Sequence, residues 1–454
     1  MNRGPRLAAA AVFVAALVLG GYVAAIYFQP HAAKVAAAPN VQVDSLAPGA
    51  SFPWAYANES VQGVQPSVAV GPGGQVYASW IGFSTSSPQV YPSSARGFRT
   101  QILFSASTDG GKSYSAAVEV SNSTNPLSYS CFDPSTAVAP NGTLAYVAYA
   151  CYSQGGFATT IFVAAGSEGP SGDFSFTQNA VSVGVGFSSP WMVVSKSGVV
   201  YLAWDSSYEL YWATVRPNMT IGRPSSNTFP TEYGWTTGAA LLPNGTMAVV
   251  AYGYGRPNAA NSTISVLYAP LSRDGHSGNL GWTSVANLTV PSSMYIGGAV
   301  PFVPGPALTI TSGGTPYIAY ASDVGHSLLL TWLTPGGQSW SSPVVLGSSQ
   351  NGTVESPALA SGGIGVIVAA WMGNATGAWD AYVSAYQTSA SKLAGPIKLN
   401  SAPGFASGPM TWHGDFMSVA QVSGSRFVVL WSDGRGVPDY YGYGHIYSSL
   451  VSVS

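Results

Sequence analysis

Seven short segments of this chain lead into a strand-like run in the same way: "QPSVAV", "DPSTAV", "SPWMVV", "TGAALL", "GPALTI", "SPALAS" and "GDFMSV". Their second residues, Pro66, Pro134, Pro190, Gly238, Pro306, Pro357 and Asp415, lie 68, 56, 48, 68, 51 and 58 positions apart. A second run follows each and carries an aromatic residue at its end. These aromatics, Trp80, Tyr149, Trp204, Tyr252, Tyr320, Trp371 and Trp431, stand 14, 15, 14, 14, 14, 14 and 16 residues after the lead-in position. A Gly or Asn-Gly turn usually separates the two runs ("GPGGQ", "APNGT", "LPNGT"), supplying the φ > 0 residues that a tight hairpin needs. A third strand follows in every repeat ("ILFSAS", "HIYSSL") and a fourth in most ("PVVLG", "PIKLN"). Units of four short strands that recur in this way predict an all-β fold, a seven-bladed β-propeller of four-stranded antiparallel blades.

The seventh repeat ends after its third strand, at Ser454. The segment "VQVDSLAPG" from Val41 matches "IKLNSAPGF" from Ile397, the fourth strand of repeat six. The N-terminal strand is therefore expected to close the ring as the outer strand of blade seven, which removes an open edge. On this reading the propeller spans 41–454 and residues 29–40 are a linker. The only cysteines, Cys131 and Cys151, flank a hairpin turn centred on Asn141, and paired positions across that turn sum to 282. The two cysteines share this sum, so they face each other and a disulfide is expected, worth about 3 kcal/mol in the chain-entropy model.

Ahead of the repeats, Arg3 and Arg6 precede an apolar stretch from Leu7 to Phe28, 22 residues long. At about 1.5 Å per residue this spans a bilayer core, and it is longer than the apolar core of a usual signal peptide. Residues 1–28 read as a signal anchor with a transmembrane helix over 7–28. The alternative is a long cleavable signal with a cleavage site near "KVAAAPN". Positive charge before the stretch keeps the N-terminus cytoplasmic, so either reading places the bulk of the chain outside the cytoplasm, at the cell surface. An oxidising compartment suits the cysteine pair. Nine of 17 Asn residues head an N-x-S/T sequon (Asn58, Asn122, Asn141, Asn218, Asn244, Asn261, Asn287, Asn351, Asn374), which points to surface glycosylation. "NGT" is also good hairpin chemistry, which accounts for Asn141 and Asn244 without a glycan.

Charged residues make only 7% of the chain, with 15 Lys plus Arg and a net charge of -2. No basic surface can neutralise a run of phosphates, so nucleic-acid binding is excluded. A chain so poor in carboxylates suits an acidic setting. No CxxC or Cys/His cluster and no EF-hand run is present, so no metal and no cofactor is expected.

In blade one the turn between third and fourth strands reads "STDGGKSY", and Ser107, Asp109, Gly111 and Tyr114 fit S-x-D-x-G-x-[ST]-[WYF]. Degenerate copies stand at the same place in repeat four (Ser272, Asp274, Gly275, Trp282) and repeat five (Thr334, Gly336, Gly337, Trp340). The pattern resembles the Asp box of the sialidase superfamily, the BNR-repeat propellers. Its role is structural: the carboxylate accepts turn N–H groups, Gly takes the φ > 0 position and the aromatic packs beneath. The resemblance implies an exo-sialidase in which three arginines clamp a substrate carboxylate, an Asp protonates the leaving group and a Tyr beside a Glu is the nucleophile. The first such arginine belongs to an Arg-[Ile/Val/Leu]-Pro motif. Here the residue two before each lead-in proline is Val64, Phe132, Ser188, Pro304 or Glu355, never Arg, so no catalytic residue carries over.

In a propeller, the loops between second and third strands and the connections between blades gather at one end of the channel. Those segments carry Arg96, Arg99, Arg256, Asp433, Arg435 and Tyr441, while the lead-ins and the connections before them add Asp133, Glu232, Glu355, His413 and Asp415. These are the candidate ligand-binding residues. The plainer account is that such groups are solvated or pair with one another. Three functions follow: a membrane-anchored propeller that binds a glycan or a cell-surface protein, a divergent glycoside hydrolase of sialidase type, or a structural envelope component.

Overall fold

A computed structural model describes residues 33–45, 61–84, 100–121, 131–152, 158–169, 173–185, 190–206, 209–222, 224–228, 234–253, 261–270, 283–291, 305–322, 326–337, 339–349, 352–363, 365–374, 377–402, 404–406, 417–435 and 444–454. The expected transmembrane segment 7–28 lies outside these residues. Among the described residues no helix is long and apolar enough to cross a membrane.

The strands form seven antiparallel sheets, one for each repeat. Blade one is Val61–Val70, Val76–Ser84, Thr100–Ser107 and Val118–Glu119, and the next five blades are built in the same chain order. The first strands neighbour one another in sequence order, and that of blade seven, Ser418–Ser423, meets that of blade one, so the ring is closed. The core lies between blades: separate clusters of buried side chains fill the interfaces of blades one and two, two and three, and so on, to six and seven and seven and one.

Period-2 alternation places the seven repeat aromatics on the second strands, where none is more than 5% exposed. Each pairs directly with a third-strand residue, and in four blades that partner is also a ring: Tyr149 on Phe162, Trp204 on Tyr211, Trp371 on Tyr382 and Trp431 on Tyr447. The planes lie within 6–29° of parallel at 5.4–6.4 Å. In the other three blades the partner is aliphatic, Leu103, Ile264 or Leu329, so the shared feature is a buried second-strand ring facing an apolar third-strand side chain.

Three of the five lead-in prolines, Pro66, Pro134 and Pro357, sit on bulges, while Pro190 and Pro306 stand just before their strands. Register shifts after Val64, Phe132 and Glu355, and Gln65, Asp133 and Ser356, each just before the proline, take φ of 54°, 52° and 52°. Proline has no N–H to offer a ladder, so the strand bulges where pairing is lost. Cys131 and Cys151 pair across their hairpin with Cα atoms 4.1 Å apart and are disulfide-bonded.

The N-terminal segment closes blade seven on the third strand, His445–Val453. Pairing starts earlier than expected: Val35–Ala37 face Val451–Val453 before Val41–Gln42 face Tyr447–Ser448. Part of the expected linker 29–40 is thus outer strand, because the apolar Val35 packs on the cluster between blades six and seven.

In the turn 107–114, Asp109 accepts from Lys112 N, Ser113 N, Ser113 Oγ and Ser107 Oγ, while Gly111 N donates to Ser107 Oγ at 2.8 Å. Gly110 and Gly111 take φ of 76° and 92°. Burial pushes the Asp109 carboxyl up, but the bonds from Ser113 and Ser107 outweigh it and hold the group well below the usual range. The blade-five copy keeps the frame without the acid. Gly336 and Gly337 have φ of 99° and 70°, and Ser341 bonds Thr331 and Trp332 N as Ser115 bonds Ser105 and Ala106 N. The blade-four copy, Ser272 to Trp282, lies outside the described residues.

Candidate functional site

The strand order gives the ring two unlike ends. Turns from first to second strand and from third to fourth share one end, here the turn face. Loops from second to third strand and the blade connections share the other, the loop face. Of the residues expected at the loop face, Arg96, Arg99, Glu232, Arg256, His413, Asp415 and Tyr441 lie outside the described residues. Asp133, Glu355, Asp433 and Arg435 are described.

Asp133 occupies the left-handed bulge position of blade two, a conformation that Asp tolerates, and Glu355 pairs with Met372 at the corresponding bulge of blade six. Asp433 and Arg435 are brought together at the end of the second strand of blade seven. Asp433 is 1% exposed; it accepts from Arg435 N through Oδ1 and from Trp431 Nε1 through Oδ2, both at 3.0 Å, and forms an ion pair with the Arg435 guanidinium. That guanidinium also donates to Ser401 Oγ and Asn40 Oδ1, each at 3.0 Å, and stacks 4.1 Å over the Tyr447 ring. Arg435 therefore turns toward the outer strand of its own blade and the end of blade six, where it ties the ring shut.

Beside it, Asp44 on the N-terminal segment accepts from His445 Nδ1 at 3.0 Å, Ile446 N at 3.1 Å and Gln42 Nε2 at 3.0 Å. The hydrogen bond to Asp44 raises the His445 pKa; burial opposes it, and the charges of Asp44 and Asp433 add to it. In blade six, Asp380 is fully buried and holds Lys398 Nζ at 2.8 Å and Asn400 Nδ2 at 2.6 Å.

Asp205 escaped the sequence reasoning. It ends the second strand of blade three, is 3% exposed and accepts from Thr236 N at 3.0 Å and Thr236 Oγ1 at 2.6 Å. Desolvation pushes its carboxyl up to about 7, against the bonds from Thr236. A carboxyl poised there can hold or release a proton near neutrality. Its signal in the sequence was small: an acid directly after the repeat aromatic, in "AWD".

Among the described residues no group of three or more His, Cys, Asp or Glu is placed to hold a metal. On the turn face the central channel opens into a cavity of about 760 Å³, lined by Lys196, Tyr201, Asn244, Ser312, Ser361 and Gln421 among others. This opening lies opposite the loops in which the sequence places the site.

Strand order and terminal closure together define a seven-bladed propeller fold, closed by its N-terminal segment. No protein-family model and no curated protein matches the sequence. Among solved structures, a protein of unknown function from Dyadobacter fermentans is similar over 92% of this chain and 99% of its own, with 12% identity and a TM-score of 0.52. A Trypanosoma rangeli sialidase in complex with the inhibitor DANA is 13% identical over 91% of this chain, with a TM-score of 0.48; the chain covers 60% of that protein's length. A Penicillium chrysogenum alpha-L-arabinanase complexed with arabinobiose is 14% identical over 92% of this chain and 98% of its own, with a TM-score of 0.46. Identities this low concern the fold alone.

Proposed function

We propose that the protein is a membrane-anchored, extracytoplasmic and glycosylated propeller whose loop face binds a glycan or another surface protein without turning it over. The observation that carries this reading is the engagement of Arg435. The one arginine of the expected loop-face set that is described is committed to Asp433, Asn40, Ser401 and Tyr447, so it is not free to clamp a substrate carboxylate. Asp44, Asp380 and Asp433 are spent in the same manner. The apolar stretch 7–28 supports the anchor, and the disulfide supports an oxidising compartment.

Asp205 favours a second reading, a divergent glycoside hydrolase, because a carboxyl titrating near 7 is suited to donate a proton to a leaving group. The two separate in one experiment: the full chain in detergent is applied to a glycan array and, in parallel, to a fluorogenic panel of sialosides and other glycosides. Binding without turnover is the expected outcome. Turnover abolished by Asp205→Asn would establish the hydrolase instead.

A further inference from the structure

The two faces differ in charge among the described residues. Among the described residues, Lys34, Lys112, Lys196, Arg216, Lys392 and Arg426 lie in turns or at strand ends on the turn face, against three carboxylates there, Asp109, Glu168 and Asp173. The loop-face ends carry Lys398 and Arg435, each paired with a buried Asp, against Asp44, Asp133, Asp205, Glu209, Glu355, Asp380 and Asp433. Lys34, Lys112, Lys196 and Arg426 are exposed. One of the opposing carboxylates, Asp109, is occupied by the N–H and hydroxyl groups of its own turn.

The chain joins the ring at this same face. Lys34 N donates to Ser454 O at 2.8 Å and Ser454 N to Lys34 O at 3.0 Å, at the turn-face end of the strand that starts from His445. Only residues 29–33 separate Lys34 from the apolar stretch that ends at Phe28. Fully extended, they reach about 18 Å, less than the width of a propeller.

We infer that the turn face rests on the anionic headgroups of the membrane that holds the N-terminal segment, with Lys34, Lys112, Lys196 and Arg426 as the contacting cations and the loop face turned away. This rests on the anchored reading given above. A short tether holds the rim at Lys34 near the bilayer, and attraction within a Debye length of about 8 Å then selects which surface lies down. The competing pose stands the ring on the edge of blade seven. It would offer the membrane residues 35–42, which carry no charge.

The test uses the full chain in vesicles of phosphatidylcholine mixed with phosphatidylglycerol, the second lipid supplying the anionic headgroups. Single cysteines at Ser197→Cys, on the turn face of blade three, and Ser45→Cys, at the loop-face end of blade seven's outer strand, carry a fluorophore quenched by labelled lipid. Both serines are exposed. The face-down pose predicts strong quenching at 197 and weak quenching at 45; the edge-on pose predicts the reverse, since 45 lies on the rim and 197 across the ring. Lys112→Glu, Lys196→Glu and Arg426→Glu together, or salt raised to about 1 M where the Debye length is near 3 Å, are expected to cut quenching at 197 severalfold. Co-flotation with the vesicles is measured in the same samples. A chain that does not float overturns the anchor and this inference together. A chain that floats with equal or reversed quenching, or with no response to charge reversal and salt, overturns the inference and leaves the anchor standing.

Discussion

Blades six and seven solve one problem with different chemistry. In both, the backbone N–H that follows the first third-strand polar residue needs an acceptor from the fourth strand: Ala381 N donates to Asn400 Oδ1 at 3.0 Å, and Ile446 N to Asp44 Oδ2 at 3.1 Å. Blade one repeats the device, with Ile102 N donating to Ser121 Oγ at 3.0 Å. The registers agree, since Tyr382 faces Lys398 in blade six as Tyr447 faces Gln42 in blade seven. Blade six keeps its acid on the third strand, as Asp380, with the cation Lys398 on the fourth. Blade seven reverses the charge: the acid Asp44 arrives on the N-terminal segment and its partner His445 waits on the third strand. The backbone geometry thus fixes where an acceptor must stand, and leaves the sequence free to choose whether the contact responds to pH. Of the three blades compared, blade seven, whose fourth strand comes from the opposite terminus, is the one that uses a histidine.

Asp44→Ala is the strongest way to break this comparison. It removes the acceptor of three donors, one of them a buried backbone N–H, and should cost about 3 kcal/mol. Hydrogen exchange at Ile446 and proteolysis within 33–45 would both rise, because the closing segment is held by no neighbouring strand in sequence. Asp380→Ala should cost slightly less, about 2 kcal/mol, as Lys398 is 38% exposed and can turn to water. It should leave proteolysis at 33–45 unchanged; equal sensitivity in the two variants would mean that the terminal strand is no weaker a closure than a continuous one.

Asp205 sharpens the contrast from blade three. It is buried like Asp380 and Asp44, but its described partners are the backbone and hydroxyl of Thr236, with no cation. Its folded pKa, about 7, lies above the unfolded value near 3.8, so the folded protein binds the proton more tightly and loses stability as pH rises between the two. Asp205→Asn keeps an oxygen to accept from Thr236 and has no charge to bury. A gain on the order of 2 kcal/mol at pH 8 and none at pH 3 is expected from urea titrations at the two pH values. Equal shifts at both would show that folding does not raise the carboxyl's pKa.

How much of this was legible in the sequence follows from what each feature depends on. The repeat, the aromatic offset and the cysteine pairing depend on strand register, which is local and periodic; next to the turn the paired positions sum to 283, as in Val138 with Ala145, and the bulge between Phe132 and Ser135 shifts the register to the 282 that Cys131 and Cys151 share. The terminal closure was legible from its likeness to 397–405, though its start at Val35 was not, since "VAA" carries no strand signal of its own. The site was the poorest part. Loop position brought out Arg435, but the direction of its side chain is decided by Asn40 and Ser401, 395 and 34 residues away. Asp205 was hidden for the opposite reason. Its raised pKa comes from burial against the next blade, which no local pattern encodes.

The smallest effect comes from the feature that most separates the two blades, the imidazole of His445. Facing it are Asp44 on the outer strand, Asp433 and Arg435 on the second strand and Tyr447 on its own. Asp44 raises its folded pKa above 6.5, so the stabilisation is complete below that value and is lost as pH climbs through the folded pKa. His445→Gln keeps a donor for Asp44 without the charge and should cost up to about 1 kcal/mol at pH 5 and almost nothing at pH 9. Asp205 pulls in the same direction as His445, and Asp109, held far below the usual range, keeps its charge well into acid. Asp109, with its depressed pKa, acts the other way and loses its contribution as pH falls through its folded value, so an unfolding profile with its maximum above pH 8 would contradict the assignments of Asp205 and His445 together.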